Sequence, residues 1–97
     1  MLKTKDNHPV EGKTLKTFKL SIRIRFKEGI LDPEAEAILS ALNRLEFSNI
    51  KSVACDRVFR LELEADDANQ AIALGRKAAH DLLANLVMED FEVELAS

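Results

Sequence analysis

Residues 18–26 alternate without a fault: Phe18, Leu20, Ile22, Ile24 and Phe26 fall on one side, Lys19, Ser21, Arg23 and Arg25 on the other. Side chains of an extended chain point to opposite faces with a period of two, so this stretch is a strand with one buried and one wet face. Such a strand cannot stand alone. It needs strands beside it and a layer over its apolar face, and the rest of the chain must supply both.

Gly29 lets the chain turn out of the strand, Asp32 is placed to cap the free N–H groups of a helix, and Pro33 fits the first helical position, where no N–H is needed. Glu34 and Glu36 suit the positive end of the helix dipole. Ala35, Ile38, Leu39, Leu42 and Leu45 follow at helical spacing, which predicts an amphipathic helix over 33–46 covering the strand's apolar face. Residues 50–55 read as a short second strand and Asp56-Arg57 as a tight connection. A second alternation follows, with Phe59, Leu61 and Leu63 inward and Arg60, Glu62 and Glu64 outward.

Asp66 or Asp67 then caps another helix with the stripe Ala68, Ala71, Ile72, Gly75, Ala79, Leu82 and Leu83, whose small members predict close packing on the sheet. Asn85 is expected to end that helix in a left-handed conformation, Glu89-Asp90 to turn, and Phe91, Val93 and Leu95 to alternate with Glu92 and Glu94. The predicted fold is α+β, a βαββαβ two-layer sandwich. It is ferredoxin-like, a four-stranded antiparallel sheet with two helices on one face and the first strand between the third and fourth. Residues 1–15 are polar and aperiodic, a mobile leader before a single domain over 16–97.

Charge is unevenly placed: eight lysines and arginines against two acids in residues 1–27, and six against fifteen in the rest. The topology sets Lys19, Arg23 and Arg25 beside Glu62, Glu64, Glu92 and Glu94 on the face away from the helices, so the basic strand is neutralised by its flanks. That argues against nucleic acid, as does the placing of every phenylalanine but Phe47 on an inward position. No run approaches the roughly 18 apolar residues of a membrane span, and no apolar stretch near the N-terminus resembles a signal peptide, so a cytoplasmic protein is expected.

No catalytic, cofactor-binding or metal-binding residue stands out. Cys55 is the single cysteine, "VACDR" has no glycines for a strained nucleophile elbow, and His8 and His80 are placed in the leader and inside a helix. A half-buried structural thiol is the expectation. The surfaces suited to an interface are the short second strand, with Ile50 and Val53, and the charged sheet face, with Arg23, Arg25, Arg60 and Glu62; a domain this small gains from association.

"GILDPEAEAI" after a basic strand, "FRLELEAD" running into an acid-capped helix, and "LLANLVMEDFEVEL" at the end together resemble the PurS family, the small subunit of phosphoribosylformylglycinamidine (FGAM) synthase. The resemblance spans residues 17–95, and the most specific part is "LLAN" followed two residues later by Met88-Glu89-Asp90-Phe91. The family usually has a glycine where Ala35 stands, a Gly-Lys pair near Asp56-Arg57, whose positive charge Arg57 keeps, and a proline at Leu86. The resemblance implies a non-catalytic assembly subunit, dimeric or tetrameric, that bridges a large synthetase subunit and a glutamine amidotransferase subunit. That complex converts formylglycinamide ribonucleotide to the amidine with ATP, magnesium and glutamine, and this chain itself needs no cofactor. Arg57 joins the expected interface on the same ground. The alternative is a ferredoxin-like regulatory module binding a small metabolite at a dimer interface.

Overall fold

The structure, a computed structural model, describes residues 15–96. His8 and all of the expected leader except Leu15 lie outside the described residues. The long alternating segment forms β1 (Lys16–Phe26), which pairs antiparallel with β2 (Arg57–Ala65) on one side and β3 (Glu89–Leu95) on the other. Between them run α1 (Pro33–Arg44), α2 (Ala68–Ala78) and a π-helical turn over Ala79–Leu83.

The inward side of β1 is the core: Leu20, Ile22 and Ile24 are closed to solvent, with Phe59, Leu61, Phe91 and Val93 beside them and α2 laid across. Gly75 makes that approach possible. A Cβ there would stand 2.6 Å from Leu20 Cδ1 and 3.1 Å from Val93 Cγ1, so any larger residue would have to displace these side chains or lift the helix. Asp67 caps α2 by accepting from the Gln70 N–H at 2.8 Å, and Asp32 caps α1 by accepting from the N–H groups of Glu34 and Ala35 at 3.1 and 3.2 Å. Gly29 turns the chain at φ 86°, as its place after the strand requires.

Four expectations are corrected. The sheet has three strands among the described residues, because residues 51–56 run without regular structure and no neighbouring strand takes up their N–H and C=O groups. Asp56-Arg57 makes no turn; the extended segment leads straight into β2. Next, α1 ends at Arg44 and does not pack over the sheet: α2 alone does, and Ile38, Leu45 and Phe47 are left 38%, 69% and 49% exposed. Finally, Asn85 is not left-handed; the π-helical turn passes through an extended Ala84, and Asn85 opens a tight turn instead.

Candidate functional site

The residues expected at an interface fall into three places. Arg23, Arg25, Arg60 and Glu62 lie on the outward, helix-free face of the sheet, where β1 supplies most of the cations and the flanking strands the acids. Lys19 stands opposite Glu62, Arg23 opposite Glu92, and Arg25 donates to Glu92 at 2.8 Å. All of these are solvated, so the pairing is worth about 0.2–1 kcal/mol and sets complementarity more than stability. Ile50 and Val53 belong to the unpaired segment before β2.

Arg57 is in neither set. It begins β2 at an inward position and reaches across the end of β1 to Glu89, the first residue of β3, where Nη2 donates to both carboxylate oxygens at 2.8 Å. Glu89 is 8% exposed, the one buried charged residue among those described. Oε1 also accepts the Asn85 N–H at 2.7 Å; this bond, opposed by burial and helped by Arg57, holds the carboxyl below the usual carboxylate range. The Arg57 guanidinium lies 5.6 Å from the centre of the Phe59 ring.

Sequence reading placed Glu89 in a turn and missed this pair. A signal was present: counting back from Phe91 and from Phe59 by two puts Glu89 and Arg57 on the inward side of their strands. Opposite charges at inward positions of two strands that both flank a third can meet only across its end.

Two cavities lie at this end of the molecule, the smaller of them against the pair itself. One of about 810 Å³ is lined by residues 25–32, Ala35, Glu36 and 52–56; a second of about 410 Å³ lies between Ile24, Phe26, Pro33, Cys55, Arg57 and Glu89. Cys55 is half-buried on their wall. Its thiol is pushed up by partial desolvation and then by the carboxylates of Glu34, Asp32 and Asp56, the opposite of what a thiolate nucleophile needs. His80 pairs with Asp81 at 3.0 Å on the exposed π-helical turn. Among the described residues, no three histidine, cysteine or acidic side chains gather where a metal ion could be held, and no helix is long and apolar enough to cross a membrane.

What this arrangement offers is surface. A charged face, a helix with a partly exposed apolar stripe and an outer edge of β2 that no strand among the described residues pairs are features of a chain that associates.

Comparison with known proteins identifies the company it keeps. The family model described as "PurS: Phosphoribosylformylglycinamidine (FGAM) synthase" matches residues 19–97. The PurS subunit of that synthase from Archaeoglobus fulgidus is 38% identical over 74% of this chain and 90% of its own length. The one from Methanocaldococcus jannaschii is 31% identical over 80% and 94%. In three dimensions the chain is similar to the purS subunit of Thermotoga maritima, with a TM-score of 0.77 at 28% identity over 89% of this chain and 99% of that one. It is also similar to a chain of the Thermotoga maritima PurLQS structure, with a TM-score of 0.75 at 29% identity over 82% and 98%.

Proposed function

Since the chain belongs to the PurS family of phosphoribosylformylglycinamidine synthase, we propose that it is a non-catalytic assembly subunit of that enzyme in purine biosynthesis, holding a large synthetase subunit and a glutaminase subunit together. The observation that carries the reading is the likeness to a chain of PurLQS, matched over nearly all of that chain's length. The amidoligase chemistry, with its ATP, magnesium and glutamine, then belongs to the other chains, in the cytoplasm. This chain contributes shape.

The working form is a homodimer or tetramer, and in it we place the four-stranded ferredoxin-like arrangement that the sequence pattern predicts. Among the described residues, 50–55 have no strand to bond within one chain, no strand pairs the outer edge of β2, and the partly exposed apolar stripe of α1 has no sheet beneath it. A second copy answers all three at once, since a two-fold exchange supplies in trans the contacts missing in cis.

The test is reconstitution. Separately purified synthetase and glutaminase subunits are expected to form the amidine product from glutamine slowly or not at all, and to recover when this chain is added. Full glutamine-dependent turnover without it overturns the proposal. Ammonia-dependent turnover does not bear on it, because free ammonia bypasses the need to hold two active sites together.

A further inference from the structure

Residues 28–56 form an arm that leaves the sheet at Lys27, after the last residue of β1, and returns at Arg57, the first residue of β2. Two attachments define an axis and leave rotation about it free. Among the described residues, packing does little to stop that rotation: α1 lies against no strand as α2 does, the larger cavity lies between the start and the end of the arm, and the smaller one separates both from the ends of β1 and β3.

Both feet are held from outside by one short turn, residues 85–89. The Lys27 N–H donates to the Met88 carbonyl at 2.8 Å, and Arg57 is clasped by the Glu89 carboxylate. The turn is braced within itself. Asn85 N–H donates to Glu89 Oε1, the Glu89 and Met88 N–H groups donate to the Asn85 carbonyl at 2.7 and 3.0 Å, and Val87 N–H donates to Asn85 Oδ1 at 3.1 Å. Asn85 and Glu89 are the two polar ends of "NLVME", Asn85 just after the π-helical turn and Glu89 at the start of β3.

We infer that turn 85–89 is a clamp that fixes the direction in which the 28–56 arm leaves the sheet, with Asn85, Glu89 and Arg57 as positioning residues for assembly. The inference rests on the assembly reading above. It deepens that reading by separating residues that aim the arm from residues that touch a partner. An arm held in one direction loses less freedom on association, so a clamp that aims it can strengthen binding without touching the partner.

The experiment places spin labels on Ser40→Cys in α1 and Thr17→Cys on β1 in a full-length Cys55→Ser chain, diluted with unlabelled chain, and measures the distance distribution between them. With the clamp intact, one narrow distribution is expected. Glu89→Gln and Arg57→Met should broaden it about twofold or more while β1 amides keep their protection from hydrogen exchange. Both should also weaken binding to the synthetase and glutaminase subunits about tenfold or more. Glu92→Gln, which removes the Arg25 pair from the outward face, should leave the distribution narrow. Should Glu89→Gln fail to fold, Arg57→Lys, which keeps the charge but shortens the reach, decides the matter by the same width. A distribution that stays narrow in the clamp variants, or broadens equally in Glu92→Gln, overturns the inference. Failure of the unaltered chain to bind either subunit overturns the assembly reading instead, and the label distances still judge the clamp.

Discussion

At the residue scale, the Arg57–Glu89 pair is asymmetric, and the asymmetry predicts which half matters more. The Arg57 side chain is about half exposed and can turn to water once its partner is neutral; Glu89 cannot. Arg57→Met leaves a buried carboxylate with only the Asn85 N–H and should cost about 1–3 kcal/mol, more than Glu89→Gln, as urea midpoints of the two variants will show. The pH dependence has a definite sign. Because the folded-state pKa of Glu89 is lowered, the pair's contribution is complete above the ordinary glutamate value of about 4.3 and is lost as pH falls through the lower folded value. The stability gap between the unaltered chain and Glu89→Gln should therefore be constant near neutral pH, begin to close below the ordinary glutamate value, and vanish once pH has fallen through the lowered folded value. Asp32, Glu34 and Asp56 line the same cavity as Glu89 and are common to both proteins. Cys55 carries a different prediction. With its thiol pushed up and no base paired to it among the described residues, Cys55→Ser should cost little stability and leave glutamine-dependent turnover of the reconstituted synthase unchanged. A large fall in turnover of a folded variant would give the thiol a role that its surroundings do not support.

At the element scale, the position of α2 is set by the absence of one methyl group. Gly75→Val puts branched carbon where Leu20 and Val93 already stand and should destabilise by about 2–3 kcal/mol through overpacking of a closed core. Gly75→Ala should cost less, because roughly 1 kcal/mol of helix propensity is recovered and Leu20 Cδ1 is the end of a side chain. Midpoints of chemical unfolding rank the two; a neutral valine would mean the helix sits higher than described. By contrast, α1 owes its start to Asp32 and Pro33 and has no sheet beneath it, and a helix of 12 residues is marginal in water without tertiary support. The residues that begin this helix act locally, and so they were readable. What lies against its stripe is a matter of partners.

At the scale of the whole molecule, the exposed stripe of α1 and the open edge of β2 predict that the chain does not remain single. Light scattering at micromolar concentration and moderate salt should give twice the 10.9 kDa chain mass or more. A mass equal to one chain would defeat this, since both surfaces would then face water. The amino-acid sequence by itself determined β1, the alternating bodies of β2 and β3 though not their first residues, the central place of β1 in the sheet, both helix starts, and the near approach of Gly75. Each of these follows from periodicity or from groups within a few residues of one another. Only the tertiary structure decided that residues 50–55 are no strand, that α1 stands off the sheet, and that Glu89 is a buried anchor rather than part of a turn. The reason is common to all three. A strand needs a neighbour to take its hydrogen bonds, an apolar stripe needs a surface, and a buried charge needs its counter-charge, and no local pattern says where in space, or on which chain, that partner will be.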